Sequence, residues 1–468
     1  MWTFRSRIMA RPEAWCLLAL SALTHFWQLF TPRVVVFDEL HYEHFAGDYL
    51  SGRFYFDVHP PLGNLAYAAF ARLLHASGEQ LLRADPIPAL RLLPATLGTL
   101  TVPLIYLLLR QLGASRRVAL LGGVAALLDN GLLLESRLIL LDSFLIFFGL
   151  LAVSIYLAAR DKTGTRRWVC LAASAFFAGC ALSVKWTGAS ALGVILAAWF
   201  TEAVMRRVPL RRLAAEGLVL VAIPAVIYVT AFAVHFALLD HTSPDASFMS
   251  ETFQQRLIGN VRYTPDAHVS LWRELRDVHH AIRVGNESLE HVKHIGSSPW
   301  YTWPIMKHPM GLWEPVHKIT GRRTMIILVG NPLVWWGGMV GALIGLAAFL
   351  LRRSRFAGRE FAFLLLLGAV LLNFLPFAAI HRIMYIYHYL FALVFVIALA
   401  ALSTGVLARW MDDDERPWHF PSRRSEMLYG MIIALLFVSF VYFLPFTYGW
   451  SMSDASWDAH FWVLHPRL

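Results

Sequence analysis

Charged residues are scarce. Asp, Glu, Lys and Arg make up 15% of the 468 residues while 57% are hydrophobic, against roughly a quarter charged in soluble domains. A soluble chain of this length would fold as several domains and would need a far more polar surface. The shortage excludes a soluble enzyme, a disordered protein and a fibrous one, and leaves a polytopic membrane protein. Cysteine is nearly absent. Cys16, Cys170 and Cys180 lie in apolar runs without a partner at ligand spacing, which excludes a disulfide framework, a Cys-based zinc site and a thiol-redox motif. There is no internal repeat and no low-complexity tract. A cleavage site is missing as well: Arg5, Arg7 and Arg11 precede an apolar stretch, but bulky Phe26-Trp27-Gln28-Leu29-Phe30 follows it. The stretch therefore reads as a retained span rather than a signal peptide.

What the chain has in abundance is long apolar runs. A bilayer core needs about 20 apolar residues per helix, and eleven stretches qualify, some of them short: about 13–31, 91–110, 117–131, 138–159, 167–184, 187–205, 213–238, 326–351, 361–377, 383–408 and 427–447. Cytoplasmic loops are enriched in Lys and Arg. With the N-terminus inside, 22 of the 41 basic residues fall in segments assigned to the cytoplasm: Arg5/Arg7/Arg11, Arg110/Arg116/Arg117, Arg160/Lys162/Arg166/Arg167, Arg206/Arg207/Arg211/Arg212, Arg352/Arg353/Arg355/Arg359 and Arg409/Arg416/Arg423/Arg424. The net charge of +10 is thus a topology signal, and no nucleic-acid partner is expected. The reading is an all-α polytopic protein with an N-terminal transmembrane module over 1–238, an extracytoplasmic loop over 239–325 and a C-terminal transmembrane module over 326–468. Its first outside segment, 32–90, holds an apolar stretch, Leu62–Leu74, too short to span and suited to the membrane interface.

Several polar residues stand out against this background. Asp38-Glu39 sits just outside the first span. It suits a solvated acidic pair at a helix end, and equally a carboxylate that deprotonates an acceptor hydroxyl at the membrane surface. The three short outside turns each carry one basic residue: Arg137, Lys185 and Arg382. A single such residue commonly snorkels to the headgroups. Three on one face suggest a clamp for a lipid-linked phosphate, because Arg and Lys are the usual phosphate partners. Asp142 lies five residues after Arg137 in an otherwise apolar helix, and His388 follows Arg382 among tyrosines. His59-Pro60-Pro61 is a rigid turn with a polar side chain. Trp300 and Trp303 have the surface to stack on a sugar and equally to seat the loop on lipid, and Asn331-Pro332 starts a helix beside Trp335-Trp336. His291 and His294 lack metalloenzyme spacing, so no metal ligand set is assigned.

Taken together, these strings resemble protein O-mannosyltransferases. Phe37-Asp38-Glu39-Leu40-His41-Tyr42, Gly52-Arg53-Phe54 and Asp57-Val58-His59-Pro60-Pro61-Leu62 are similar to the family's first lumenal loop. Leu128-Asp129-Asn130 with Ser136-Arg137 and Leu140-Leu141-Asp142, Ser183-Val184-Lys185-Trp186, Gly330-Asn331-Pro332 with Trp335-Trp336, and His388-Tyr389-Leu390 extend the likeness over most of the chain. The resemblance implies a GT-C fold with eleven spans and transfer of mannose from a polyprenyl phosphate to Ser or Thr of a translocating protein. It implies that Asp38 is the base, that Glu39 helps hold the acceptor peptide, and that Arg91 is the family's arginine at the start of the second span. It also places Arg137, Lys185, Arg382 and His388 among the phosphate and carrier contacts; His59, Arg91 and Asp142 are assigned to the same group, with Trp300, Trp303 and Asn331 as weaker acceptor or sugar contacts. Eukaryotic members carry a β-trefoil domain after span seven that the roughly 85-residue loop here does not house, which points to a bacterial cytoplasmic membrane with the site on its outer face.

The mechanism that follows is an inverting single displacement. Phosphate is already a competent leaving group, so no cofactor is required and a divalent cation is optional. Two other classes stay open: a GT-C transferase moving an aminosugar from undecaprenyl phosphate to lipid A or another glycolipid, and a lipid or solute transporter, although no paired half-sequences of the transporter kind are visible.

Overall fold

A computed structural model describes residues 12–83, 85–290, 292–316, 320–351, 358–411 and 423–460. Arg5, Arg7, Arg11, Arg352, Arg353, Arg355 and Arg416 of the basic clusters, and His291, lie outside the described residues. The helices that matter below are α1 (Pro12–Phe26), α2 (Glu39–Ser51), α3 (Leu62–Leu73), α4 (Leu92–Gln111), α5 (Arg116–Leu127), α6 (Asn130–Glu135), α7 (Asp142–Ala159) and α8 (Gly164–Val184). They are followed by α9 (Ala189–Met205), α10 (Leu210–Leu238), α11 (Leu271–Ser288), α12 (Pro332–Leu351), α13 (Glu360–Phe374), α14 (Leu390–Met411) and α15 (Arg423–Tyr448). Among the described residues, nine helices are long and apolar enough to cross a membrane. The two further spans expected from the sequence are helical but short, with 15 residues in α1 and 12 in α5.

Apolar content and burial separate two kinds of span. The stretch Ile386–Arg409 has 83% of its most apolar window buried inside the protein, whereas Arg423–Tyr448 has 17%. The first is the centre of the bundle, flanked by α12, α13 and α5; the second turns Leu435, Phe437, Val438 and Val441 outward, as a lipid-facing helix does. On the other side α7, α8 and α10 pack in sequence, and α1 packs on α4. This is a multi-pass membrane protein.

One span boundary differs from expectation. The apolar run expected to start a helix at 326 instead gives a buried strand, β2 (Ile326–Leu328), paired antiparallel with β1 (Met310–Trp313) in the register Met310↔Leu328. Its β-branched isoleucines suit a strand, and Pro332 sets the first turn of α12. Gly330 is needed there, because a side chain would collide with the Trp335 indole.

The loops at one end of the bundle position the site. Helix α3 buries Tyr67, Ala68 and Ala71 while Leu73 stays 75% exposed, as an amphipathic helix at an interface does. Helix α11 packs against α10 and carries charged residues along its outer side.

Candidate active site

The Asp38-Glu39 pair is split by the backbone. Phe37 has a φ of +52°, a left-handed conformation that costs a non-glycine residue about 1–3 kcal/mol and clusters at functional sites. Asp38 then stands at the N-cap of α2, where Asp normally caps the helix, yet its side chain makes no capping bond. Burial holds the carboxyl above the usual carboxylate range, opposed by the nearby charges of His41, Lys185 and His294 and assisted by Asp142.

Glu39 points the other way and is 1% exposed. Its Oε1 accepts from Arg91 Nε at 2.8 Å and from the Ile139 N–H at 3.0 Å; its Oε2 accepts from Arg91 Nη2 at 2.7 Å and from the Val36 N–H at 2.8 Å. Arg91 donates its remaining bonds to the carbonyls of Leu29, Pro32 and Val34. The contact expected between Glu39 and an acceptor peptide has no oxygen left to make it, and Arg91 has no donor left for a phosphate. Both residues hold the first loop against the bundle and so fix the neighbouring Asp38.

Arg137 is likewise occupied. Its Nη1 donates to the carbonyls of Thr24, His25 and Trp27 and its Nη2 to that of Gln28, while Tyr448 stacks under the guanidinium at 4.4 Å. These are carbonyls at and beyond the C-terminal end of α1, which the helix cannot satisfy itself. Asn331 is also structural: it donates to the carbonyls of Leu128 and Leu436, and its N–H meets Asp129 Oδ2, which also accepts from Trp335 Nε1. Trp303 is fully buried with its indole N–H on Ser298, and Trp300 packs edge-on against Phe374 at 5.0 Å.

The remaining expected residues converge. His59, Asp142, Lys185, Arg382 and His388 line one cavity of about 820 Å³, part of it open to the outside, whose far wall includes residues of α9, α11 and α13. Asp38 is not among the lining residues, but it lies within electrostatic reach of Lys185 and Asp142. Lys185 follows the end of α8, in a tight turn that Gly188 permits because a side chain there would run into the Ala181 backbone. Its Nζ reaches Asp142 Oδ2 at 2.6 Å and lies 5.4 Å from the centre of the Tyr387 ring. Arg382 has no protein acceptor within hydrogen-bonding distance among the described residues, so its guanidinium is available to a ligand. His59 is held well below the usual histidine range by burial and by the Lys185 and Arg382 charges, and is therefore neutral at physiological pH. Asp57, which accepts from the His59 N–H at 3.1 Å and from Asn64 at 2.9 Å, is pushed up to about 6 by burial. His388 stacks on Trp303 with 5.8 Å between ring centres.

Sequence reasoning did not find the opposite wall. Trp186 Nε1 donates to Tyr228 Oη at 2.8 Å, Tyr228 meets His279 Nε2 at 2.7 Å, and Trp186 and His279 stack. The three come from separate elements, so no local pattern announces them; a Trp directly after the turn residue Lys185 was the available hint. Chemically, the cavity offers a cationic end, neutral imidazoles and aromatic surface, with a partly buried carboxylate on the adjoining side. Such a site suits an anionic group with an apolar tail. Among the described residues, no three His, Cys, Asp or Glu side chains gather as a cation site.

The family model for dolichyl-phosphate-mannose-protein mannosyltransferase matches residues 15–240 of this chain. A second model, for the C-terminal four-transmembrane region of protein O-mannosyltransferase, matches residues 271–465. Protein O-mannosyltransferase 1 of Drosophila pseudoobscura pseudoobscura is 33% identical over 266 residues, covering 53% of this chain and 29% of that protein. Protein O-mannosyl-transferase 1 of Rattus norvegicus is 33% identical over 267 residues, covering 52% and 36%. The matched segments thus span about a third of the length of these curated relatives. Among solved structures, the Saccharomyces cerevisiae protein O-mannosyltransferase Pmt1-Pmt2 complex bound to the sugar donor superposes with a TM-score of 0.85 at 17% identity, covering 97% of this chain and 92% of that one. ArnT from Cupriavidus metallidurans bound to undecaprenyl phosphate gives 0.57 at 13% identity, covering 94% and 77%. At such identities the likeness is one of fold, the GT-C architecture.

Proposed function

The chain belongs to the protein O-mannosyltransferase family, and on that premise we propose that it transfers mannose from a polyprenyl phosphate to Ser or Thr hydroxyls of a polypeptide acceptor. The observation that carries the reading is a cavity lined by Lys185 and Arg382 together with an uncapped, partly buried Asp38 within electrostatic reach of Lys185. In this reading the donor phosphate sits against Lys185 and Arg382, with His59 and His388 as neutral partners. The acceptor hydroxyl gives its proton to the Asp38 carboxylate as its oxygen bonds the anomeric carbon. The bond from that carbon to the phosphate oxygen breaks, and its electron pair leaves with the phosphate. The extra negative charge develops beside the two cations, where such stabilisation is most effective. A single displacement inverts the anomeric centre. The positive-inside pattern supports this end lying outside, and a loop over 239–325 too short for a β-trefoil domain supports a bacterial cytoplasmic membrane.

The test uses the full-length protein in detergent, polyprenyl phosphate carrying labelled mannose and a Ser/Thr-rich peptide. Label is expected on the peptide, and Asp38→Asn is expected to lower transfer by about 100- to 10,000-fold, the usual weight of a general base, with its melting temperature unchanged. Full transfer by a folded Asp38→Asn protein would remove the base assignment. Label moving only to a lipid A-like acceptor would replace the protein acceptor by a glycolipid.

A further inference from the structure

A second cavity, of about 590 Å³, opens between α2, α3, α8 and α10 and shares no lining residue with the first. Its surface is mostly carbon, with Tyr49, Arg72, Cys180 and Thr230 as the polar lining residues. Tyr49 Oη is already engaged with His235 Nδ1 at 2.7 Å. Arg72 carries the only charge in the lining; it is exposed and, among the described residues, has no ion pair and no side-chain hydrogen bond. The mouth faces the membrane, since the lining residues Val234 and Leu238 of α10 are 41% and 47% exposed and Phe176 of α8 is 44% exposed. Ordered water needs two or more polar partners, which these walls do not offer. An apolar chain fits them, and the volume is that of a ligand site.

Depth along α10 identifies the chain. The lining runs from Leu238, the last residue of α10, inward to Ile227. Between those residues the helix rises about 16 Å, and one leaflet of the hydrocarbon core is about 15 Å deep. The cavity is therefore one leaflet deep. It begins at the end of the bundle that holds the first outside loop, where the Phe54 N–H donates to the His241 carbonyl at 2.8 Å just beyond α10. Arg72, in the last turn of α3, supplies a positive group without a protein counter-charge, which is what an anionic headgroup complements. We propose that this cavity binds an acyl chain of an anionic phospholipid, with the lipid phosphate against Arg72. The bound chain packs one flank of α3. Another flank of that helix serves the first cavity: Tyr67 Oη donates to the Leu140 carbonyl at 2.7 Å, and Asn64 Nδ2 donates at 2.9 Å to Asp57, whose carboxyl also accepts from the His59 N–H. The lipid site stands independently of the transferase reading.

Native mass spectrometry of the purified full-length protein, stripped of lipid in detergent, tests the site without requiring turnover. The probes are phosphatidylglycerol, phosphatidylcholine with the same acyl chains, and polyprenyl phosphate. Phosphatidylglycerol is expected to bind saturably and more tightly than phosphatidylcholine. Arg72→Gln is expected to weaken phosphatidylglycerol by about fivefold, the weight of a basic residue near an anionic lipid surface, and to leave phosphatidylcholine unchanged. Ala69→Phe, which places a ring in the cavity from an exposed position of α3, is expected to weaken both lipids. Should Ala69→Phe not fold, Thr230→Phe fills the cavity from the exposed side of α10 and must weaken both lipids in its place. Equal binding of the two phospholipids, or phosphatidylglycerol binding unchanged in Arg72→Gln, overturns the proposal and leaves Arg72 a residue that merely snorkels to water. Binding unchanged in the folded cavity-filling variant also overturns it. Displacement of phosphatidylglycerol by polyprenyl phosphate would overturn it in favour of a second carrier site. A wild type that transfers no sugar would sink the transferase reading and leave these lipid results as they stand.

Discussion

Arg137, in the turn between α6 and α7, and Arg382, in the turn before α14, look alike in the sequence: each is a lone basic residue in a short connection at the same end of the bundle. The structure makes them opposites. Arg137 is 4% exposed and gives its donors to four carbonyls around the end of α1, whereas Arg382 stands in a cavity wall with no protein acceptor within hydrogen-bonding distance among the described residues. Asp38 and Glu39, neighbours in the chain, divide in the same way. A polar residue at membrane depth is expensive, and there are two ways to justify it: saturate it within the fold, or leave its valence open toward a ligand. The difference between the two is a hydrogen-bond inventory.

Breaking the saturated side should cost stability first. Arg91→Gln leaves Glu39 buried without its cation, which by the usual weight of a broken buried pair costs about 3–5 kcal/mol, read as a lowered melting temperature or loss of folded protein. Arg137→Gln strands several carbonyls, each worth about 1–3 kcal/mol when left unsatisfied, and should destabilise by a similar amount in the same assay. Arg382→Gln should leave the melting temperature within a degree or two of wild type and raise the donor KM by about 10- to 100-fold, the range for losing a hydrogen bond to a charged group. The smallest effect concerns pH. Because burial raises the Asp38 carboxyl, the base is lost as pH falls through that raised value, so the acidic limb of kcat/KM should lie above the ordinary carboxylate range. A limb at the free-aspartate value would show that Asp38 is more solvated than its position implies.

Much of the fold was legible because its causes are local. Apolar runs and the alternation of arginine clusters mark where helices cross. Span 326–351 was misjudged at its start because a short apolar run such as Met325–Val329 satisfies strand and helix equally, and only pairing with Met310–Trp313 decides between them. The site was half legible. Polar residues at turns and helix starts could be listed, and five of them do share one cavity. Which of them were already spent could not be read, because Arg91, beyond its pair with Glu39, and Arg137 donate to backbone carbonyls 57 to 113 residues away in the chain, and carbonyls leave no mark in a sequence. Asn331 was misjudged for the same reason: its partners at Leu128 and Leu436 are main-chain atoms.

The most direct measurement of the division is thermal unfolding of wild type, Arg137→Gln and Arg382→Gln with and without added polyprenyl phosphate. A ligand present at a hundred times its Kd stabilises by about 2.7 kcal/mol, enough to read as a rise in melting temperature. Arg137→Gln should melt low and keep the ligand-induced rise, and Arg382→Gln should melt as the wild type does and lose most of that rise. The reverse pattern, with Arg137→Gln blind to the ligand and Arg382→Gln stabilised by it, would contradict the account.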